Sequence, residues 1–391
     1  MYNFEDILNR KNNGSKKWNI EYIEKRFKIR DEENYPLFIA DMDYKLPDEI
    51  TDKMTDLIKF GDFGYFDVRD SFYNSVVEWY KKSYACNIKK EWIVPSIGAL
   101  SSMHLIVEKI FNKKDNLLIF TPVYGPFKDV VKNNDMNLYE YTLRSHENKY
   151  QIDFNELREF VKANDIKGII FCNPHNPSGR CWSKSELDNL VDLCKENNIK
   201  IISDEVHGDL VLGESKFNSL SAYLEENDNI IVISSPNKTF NIAGLNISTF
   251  LCGNEEVKVF LEGEFNKRKL HVNRFGIDVL TICYNNGFEW AKALRKNIKE
   301  NMDIVIEKIK NVDGIQVMTP ESGYLLWIKL DKVTDIDKFV LDLAKEKKVL
   351  LETGSRFIND YQGFVRINVA TSKKILSEAM DRFVDFYRDY K

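Results

Sequence analysis

Short apolar runs alternate with amphipathic segments between about residues 90 and 255. The runs occupy residues 92–94, 117–120, 168–171, 199–202 and 230–233. One segment between them begins at Ser183, and Glu186 follows three residues later, as a capping box requires. Its apolar residues Leu187, Leu190 and Cys194 then fall on one face of a helix. Strands that alternate with such helices predict an α/β fold with a mostly parallel central sheet.

The pattern changes after about residue 285, where it predicts one long helix that reaches residue 312. The apolar residues of this helix recur at helical spacing, namely Trp290, Leu294, Ile298, Met302 and Val305. Strand-like runs follow at 314–318, 324–330 and 364–369, with helices around 339–344 and from Ser372 onward. This order predicts a smaller α+β domain at the C-terminal end. We expect an N-terminal arm (1–45) that packs with the small domain, a large domain (46–284) and the small domain (285–391).

The composition is that of an ordinary globular protein. Hydrophobic residues make up 43% of the 391 residues and charged residues 30%, which excludes disordered and collagen-like chains. The net charge is −5 without a basic block, so we expect no nucleic-acid partner. No apolar run approaches the roughly 18 residues of a membrane span, and the first residues do not resemble a signal peptide. We therefore expect a cytoplasmic protein without a membrane partner, with six reduced cysteines and without a metal site.

Lys238 directly follows the apolar run 230–233, in the segment Ser-Ser-Pro-Asn-Lys-Thr-Phe-Asn at 234–241. Open α/β sheets gather their ligand sites at the carboxyl ends of the strands. Most lysines are solvated surface charges, but the neighbours of Lys238 are small or apolar. We therefore expect its amine to be partly desolvated, to have a lowered pKa and to bond to an aldehyde.

Asp204 and His207 follow the apolar run 199–202, again at the carboxyl end of a predicted strand. A buried carboxylate needs a partner, which a protonated ring nitrogen would supply. His207 could donate to an oxygen of the same ring. On these residues alone, a helix cap for Asp204 and a buried structural histidine are the simpler interpretation.

Two further loops could bind the rest of a flat, phosphorylated ligand. The loop at 172–179 contains two prolines and could present the amide of Asn176. The loop at 96–101 leads into a helix, where the backbone N–H groups of Ala99 and Leu100 suit a phosphate and Ser235 could add a hydroxyl. Taken alone, each loop could equally be only a turn.

Tyr124 and Arg366 complete the set of candidates. Tyr124 follows the run 117–120 and could stack on a flat ring, although an isolated tyrosine there is more often packing. Arg366 interrupts the apolar run 364–369 with a guanidinium that matches a carboxylate, and the sequence leaves open which face of the strand it takes. Together the candidates describe pyridoxal 5′-phosphate (PLP), which needs a lysine for its aldehyde, an acid for its ring nitrogen and a cradle for its phosphate.

Across its whole length the chain resembles the fold-type I PLP-dependent enzymes, a group that includes the class I/II aminotransferases. Within them it resembles the carbon–sulfur β-lyases of the MalY and PatB type, or cystathionine β-lyases. Five blocks match in the family's order: Ala-Asp-Met-Asp-Tyr at 40–44, Asn-Pro-His-Asn-Pro at 173–177, Ser-Pro-Asn-Lys-Thr-Phe-Asn at 235–241, Asn-Arg-Phe-Gly at 273–276 and Gly-Tyr-Leu-Leu-Trp at 323–327. The resemblance implies a fold-type I PLP-dependent transferase fold, in which 46–284 binds the cofactor.

The resemblance also implies roles for individual residues. Lys238 would bind the cofactor aldehyde and serve as the catalytic base, Asp204 would pair with the pyridine nitrogen, and Arg366 would bind the substrate α-carboxylate. The other implied cofactor contacts are Asn176 and His207 at the ring oxygen, Tyr124 on the ring face, and Ala99, Leu100 and Ser235 at the phosphate. Tyr65 would reach the phosphate of a neighbouring subunit, which implies a homodimer with shared active sites.

Two departures from the resemblance concern the phosphate and the substrate. Asn246 stands eight residues after Lys238, where many aminotransferases of this fold carry an arginine. Residues 367–373 replace the more usual Cys-Pro-Arg ending of the branch, so the shape of the substrate site near the carboxylate is less defined.

The resemblance favours α,β-elimination from L-cystathionine or L-cysteine-type substrates, which yields pyruvate, ammonia and a thiol. An aminotransferase of class I/II is the alternative, because it uses the same lysine and the same cofactor. A non-catalytic PLP-binding regulator is a second alternative.

Overall fold

The computed structural model describes residues 2–359 and 362–390. The first residue of the predicted N-terminal arm, Met1, and the last residue of the predicted small domain, Lys391, lie outside the described residues. Its helices are α1 (Ile20–Phe27), α2 (Asp48–Phe60), α3 (Asp70–Tyr84), α4 (Ala99–Ile110), α5 (Pro126–Asn133), α6 (Phe154–Ala163), α7 (Lys184–Glu196), α8 (Glu255–Lys267), α9 (Arg274–Asn286), α10 (Phe288–Ile309), α11 (Ile336–Lys347) and α12 (Lys373–Asp389). Its strands are β1 (Tyr35–Pro36), β2 (Ile93–Ser96), β3 (Asn116–Thr121), β4 (Asn137–Thr142), β5 (Arg144–His146), β6 (Lys149–Gln151), β7 (Ile166–Cys172), β8 (Lys200–Asp204), β9 (Ile230–Ser234), β10 (Ser248–Cys252), β11 (Ile315–Val317), β12 (Leu325–Leu330), β13 (Val349–Leu350), β14 (Glu352–Thr353) and β15 (Phe364–Asn368).

A seven-stranded sheet forms the centre of the larger part of the molecule. Its strand order is β2-β10-β9-β8-β7-β3-β4. The pairs among β4, β3, β7, β8 and β9 are parallel, whereas β10 runs antiparallel to both β9 and β2. All five predicted apolar runs are strands of this sheet, which confirms the predicted α/β architecture. Strands β4 and β10 were not predicted from the sequence.

Capping side chains begin the helices that cover the sheet. The hydroxyl of Ser183 accepts from the backbone N–H of Glu186, whose carboxylate accepts in return from the Ser183 N–H, so the predicted capping box of α7 is confirmed. The apolar stripe of α7, which includes Leu187, Leu190 and Cys194, is buried. Burying such a stripe against a sheet is the main source of stability for a surface helix.

The predicted long helix is α10, and its predicted apolar residues are buried. Gly287 separates it from α9 and donates its N–H to the carbonyl of Cys283 at 2.7 Å. A Cβ at Gly287 would lie 2.3 Å from the ring of Phe240, so only glycine fits here. This close approach holds the junction of α9 and α10 against the segment that contains Lys238.

A second, antiparallel sheet has the order β11-β12-β15-β14 and carries Arg366 on β15. It contains the strands predicted near 314–318, 324–330 and 364–369. The N-terminal segment reaches this part of the chain, because β1 pairs in parallel with β13. The boundaries of the arm and of the two domains stay predictions.

Within the described ranges, every helix is too short or too polar to cross a membrane. The same residues include no group of three His, Cys, Asp or Glu side chains placed to hold a metal ion. All six cysteines are buried free thiols.

Candidate active site

A cavity of about 600 Å³ opens between the carboxyl ends of β7, β8 and β9, the start of α4, the N-terminal segment and the edge of the second sheet. Eight candidate residues line it: Ala99, Leu100, Tyr124, Asn176, Asp204, His207, Lys238 and Arg366. The carboxyl ends of neighbouring parallel strands meet at one edge of a sheet, which brings most of these residues together. Hereafter this space is the central cavity.

Lys238 lies at the floor of the central cavity, four residues after the end of β9. Its Nζ donates to the carbonyl oxygen of Ala40 at 3.0 Å. Burial, together with the nearby charge of Arg366, lowers the pKa of the Lys238 amine to about 8. A substantial fraction of the amine is therefore neutral near pH 8, the form that bonds to an aldehyde.

Two side chains next to Lys238 fix its loop. The hydroxyl of Thr239 donates to the buried carboxylate of Asp209 at 2.6 Å. Asn241 exchanges two hydrogen bonds with the backbone of Met42, at 3.1 and 2.9 Å. The loop is thereby tied both to the segment that follows β8 and to the N-terminal segment that covers the cavity.

Asp204 is the last residue of β8 and lines the central cavity together with Lys238. Burial raises the pKa of its carboxyl group to about 6, although the backbone N–H of Val206 donates to Oδ1 at 3.2 Å and Lys238 favours the ionised form. Among the described residues no cationic side chain lies within 4.0 Å of this carboxylate. A cationic group in the cavity would therefore find in Asp204 a buried partner.

His207 also lines the cavity, and burial lowers the pKa of its imidazole to about 3. The ring is therefore neutral at ordinary pH and has one N–H to donate. The predicted contacts of Asp204 and His207 with a cofactor ring fit this placement and stay predictions.

Arg366 faces the inside of the molecule, which answers the question that the sequence left open. It is 6% exposed, and its guanidinium donates to Asn176 Oδ1 at 3.1 Å and to the carbonyl of Phe38 at 3.3 Å. Its Nε is buried and has no hydrogen-bond partner among the described residues. The guanidinium lies 5.2 Å over the ring of Phe357. Arg366 is thus held in place with donor capacity left for a ligand.

The start of α4 forms the end of the cavity that suits a phosphate. Gly98 has a φ of +77°, a conformation that favours glycine, and the helix begins at Ala99 directly after it. Free backbone N–H groups at a helix start attract anions. Asn246 also lines the cavity and places a neutral amide there.

Two predicted residues do not line the central cavity. The hydroxyl of Ser235 donates to the carbonyl of Ile247 at 2.7 Å, so a bond to phosphate would require this bond to break. Tyr65 is fully exposed in the loop between α2 and α3. The cofactor contacts of Ser235 and of Tyr65 stay predictions.

The residues that form the outer end of the cavity were not predicted from the sequence. They come from the N-terminal segment and from the strand β14 with the turn after it: Lys16, Tyr22, Arg26, Glu352 and Arg356. Arg26 and Glu352 form an ion pair although 326 positions separate them. Among these five residues, only Glu352 had a signal in its local sequence, because this acidic residue directly follows the apolar residues 349–351.

Comparison with known proteins places the chain in a family. The family model described as aminotransferase class I and II matches residues 37–383. The chain belongs to this family.

Individual members of the family match nearly the whole chain. PatB of Bacillus subtilis (strain 168), named a cystathionine β-lyase, is 28% identical over 339 residues, which are 86% of this chain and 88% of PatB. A PLP-bound structure from Clostridium difficile 630, provisionally named an aminotransferase, is 34% identical, with a TM-score of 0.93 and coverage of 99% of this chain and 100% of that one. The PLP-bound C–S lyase of Staphylococcus hominis is 27% identical, with a TM-score of 0.89 and coverage of 99% and 98%. These similarities confirm the predicted fold-type I fold.

Proposed function

We propose that this protein is a PLP-dependent carbon–sulfur β-lyase that cleaves L-cystathionine or L-cysteine-type substrates to pyruvate, ammonia and a thiol. The observation that carries the proposal is the buried amine of Lys238, with a pKa of about 8, in one cavity with Asp204 and Arg366. The names of PatB and of the Staphylococcus hominis protein support the reaction type, because both are carbon–sulfur lyases.

The donors of the central cavity fit PLP. Lys238 offers an amine for the aldehyde, and Asp204 offers a buried carboxylate that has no cationic side chain within 4.0 Å among the described residues. The start of α4 offers backbone N–H groups for the phosphate. Tyr124 lines the same space and offers an aromatic face.

Each residue then has a task in the elimination. PLP supplies, when bound, an electron sink for negative charge at the substrate Cα. The guanidinium of Arg366 binds the α-carboxylate and orients the Cα–H bond. Lys238 Nζ removes the Cα proton, which its pKa of about 8 allows near neutral pH. Asp204 holds a proton at the ring nitrogen by remaining ionised beside it.

The bonds and protons of the reaction balance without an oxidant or a second substrate. The Cα–H and Cβ–S bonds break, a Cα–Cβ double bond forms, and the sulfur leaves with the bonding electrons and takes up a proton. A proton then adds at Cβ, and water replaces nitrogen on the three-carbon fragment, which gives pyruvate and ammonia.

We further propose that the protein acts as a homodimer. Large apolar side chains are exposed around the loop that carries Tyr65: Ile58 is 58% exposed, Phe60 79% and Phe63 58%. Large apolar side chains that are exposed close together in the sequence are typical of a protein interface. Sedimentation of the purified protein should give twice the mass of one chain, and a Phe60→Glu variant should sediment as a single chain.

A cytoplasmic location is also part of the proposal. Six buried free thiols support a reducing compartment, since such compartments keep cysteines unpaired.

The proposed reaction is tested by pyruvate release from L-cystathionine, with PLP supplied and no 2-oxo acid added. Sustained release over many turnovers per cofactor is the expected result. If pyruvate does not form and the cofactor converts to its amine form until a 2-oxo acid restores it, the protein is an aminotransferase. If PLP binds at Lys238 and neither reaction occurs, the protein is a PLP-binding regulator.

A further inference from the structure

The outer end of the central cavity carries more positive charge than its carboxylates balance. Lys16, Arg26, Glu352 and Arg356 form this end and are called the outer rim below. Glu352 is shared among three guanidinium groups. It forms an ion pair with Arg26, and it lies 3.7 Å from Nε of Arg356 and 4.0 Å from Arg366. One carboxylate cannot neutralise three guanidinium groups, so the outer rim attracts a further anion.

Arg26 and Glu352 form an ion pair, and both side chains are largely buried in the protein. The Arg26 guanidinium lies 4.8 Å from the centre of the Phe38 ring and 5.2 Å from that of Phe27, and its side chain is mostly buried. Glu352 is 6% exposed. This pair fixes the wall of the outer rim and leaves little freedom to rearrange around a ligand.

Arg356 differs from Arg26 because its charged end is free. Its side chain is 57% exposed, and its contact with Glu352 runs through Nε at a distance longer than a hydrogen bond. Glu352 is the one carboxylate within 4.0 Å of Arg356 among the described residues. Both terminal nitrogens of the guanidinium are therefore available for a bidentate bond to a carboxylate.

The backbone of Arg356 is nevertheless held against the loop that carries Tyr124. A Cβ at Gly125 would lie 2.7 Å from the carbonyl oxygen of Arg356, so these two segments are in close contact. The N–H of Ile358 also donates to the carbonyl of Val123 at 3.4 Å. Arg356, in the turn that follows β14, thus packs against the loop that follows β3, at the mouth of the cavity.

Lys16 is a second exposed cation of the outer rim, and the contacts of its neighbour Lys17 fix its backbone position. Its neighbour Lys17 is fully buried and donates to Asp43 Oδ2 at 2.8 Å and to the carbonyl of Asp41 at 3.2 Å. Lys16 itself is exposed, and no carboxylate lies within 4.0 Å of it in the part of the chain that the structure describes.

We propose that Arg356, assisted by Lys16, binds a second carboxylate at the far end of the leaving group. This inference rests on the proposed β-lyase function and names its preferred substrates: L-cysteine thioethers whose leaving thiol carries its own carboxylate. Arg366 and Arg356 contact opposite oxygens of Glu352, at 4.0 and 3.7 Å, so one ligand can reach both guanidinium groups. Arg366 then binds the α-carboxylate and Arg356 the distal one.

The contribution of the distal carboxylate can be measured by comparing kcat/KM for two substrates of equal length that differ only in their terminal group. S-(3-carboxypropyl)-L-cysteine ends in a carboxylate, and S-butyl-L-cysteine ends in a methyl group. We expect the wild-type protein to favour the first by about tenfold in kcat/KM, mainly through KM, because charge-assisted hydrogen bonds are the strong ones. Thiol release reports elimination from both substrates.

The Arg356→Gln variant should lose most of this preference, because its kcat/KM should fall more for S-(3-carboxypropyl)-L-cysteine than for S-butyl-L-cysteine. Arg356→Lys should keep part of the preference, and Lys16→Gln should lose a smaller part. Arg388→Gln is the matched control, since Arg388 is an exposed arginine on α12 outside the cavity. It should behave as the wild type does.

The outcomes separate this inference from the proposed function. If the wild type eliminates both substrates equally well, or if Arg356→Gln keeps the full preference, the distal carboxylate site is wrong and the lyase function stands. If Arg356→Gln acts instead by weakening PLP binding, Arg356 serves the cofactor and the inference is overturned. If the PLP-loaded wild type releases thiol from no cysteine thioether, the proposed function fails and the inference fails with it.

Discussion

The two ends of the central cavity are built in different ways. At the inner end, Asn176, Asp204 and Lys238 follow three adjacent strands of one sheet, β7, β8 and β9, and all three are buried or nearly so. At the outer rim, Arg26 and Glu352 come from segments 326 residues apart, and Arg356 and Lys16 are exposed. The central sheet positions the groups that would carry out the chemistry, whereas the outer rim is assembled from chain segments outside that sheet.

This contrast predicts two classes of variant. A change at the inner end should slow elimination from every substrate by a similar factor, because it alters the reacting atoms. A change at the outer rim should alter the choice among substrates and leave the reaction itself in place.

Replacement of Lys238 by alanine should have the largest effect. The variant loses both the amine that bonds to PLP and the base at Cα, so turnover should fall by roughly 10³-fold or more for all cysteine thioethers. The protein should also lose the yellow colour of the lysine-bound cofactor. Thiol and pyruvate release measure the activity, and Lys216→Ala, at an exposed lysine, is the control. A Lys238→Ala variant within about tenfold of the wild type would contradict the assignment of the base.

Replacement of Arg366 by glutamine should come next. The variant loses a buried guanidinium that would bind the α-carboxylate, so kcat/KM should fall by roughly 10²-fold for each substrate alike. Initial rates on the carboxypropyl and butyl thioethers measure this loss. The contrast between the two ends of the cavity breaks down if Arg366→Gln changes the preference between these substrates as Arg356→Gln should.

Replacement of Asp204 by asparagine should reduce kcat by about 30-fold, because a hydrogen bond to a charged group is worth about 2 kcal/mol. Asparagine keeps the shape of the side chain and cannot hold a proton at a ring nitrogen. The visible spectrum of the PLP-bound variant should change as well. Unchanged kcat together with an unchanged spectrum would show that Asp204 does not contact the ring.

The pH dependence of cofactor capture tests Lys238 without a substitution. Lys238 has a pKa of about 8, lowered from 10.5 mainly by burial, and only the neutral amine bonds to the aldehyde. The rate at which the cofactor-free protein captures PLP should therefore rise about tenfold per pH unit below pH 8 and level off above it. Stopped-flow absorbance measures this rate, and a simple alkylamine reports the pH dependence of PLP itself. A midpoint near 10.5 would contradict the desolvated amine.

Most of the strands that are buried on both faces were predicted from the sequence, although β10, which is buried along its whole length, was missed. Strands β3, β7, β8 and β9 read as continuous apolar runs because helices cover both sides of the sheet. Strand β4 has the sequence Asn-Leu-Tyr-Glu-Tyr-Thr at the sheet edge, where partial exposure allows polar residues, and it was missed.

The same reasoning explains which site residues could be predicted. The inner residues follow apolar strands, so their place in the fold followed from local sequence. The orientation of Arg366 depends on how β15 pairs with β12 and β14, which no local pattern shows. The outer rim depends on the pairing of Arg26 with Glu352, and composition and periodicity carry no information about such a distant pair.

The most direct test of the account is to identify both products of L-cystathionine cleavage by mass spectrometry, with PLP present and no 2-oxo acid. Cleavage of the Cβ–S bond on the cysteine side gives homocysteine and pyruvate in equal amounts, which is the predicted result. Cysteine and 2-oxobutanoate would show that the other C–S bond breaks, and an absence of thiol would show that no C–S bond breaks. Either result would contradict β-elimination.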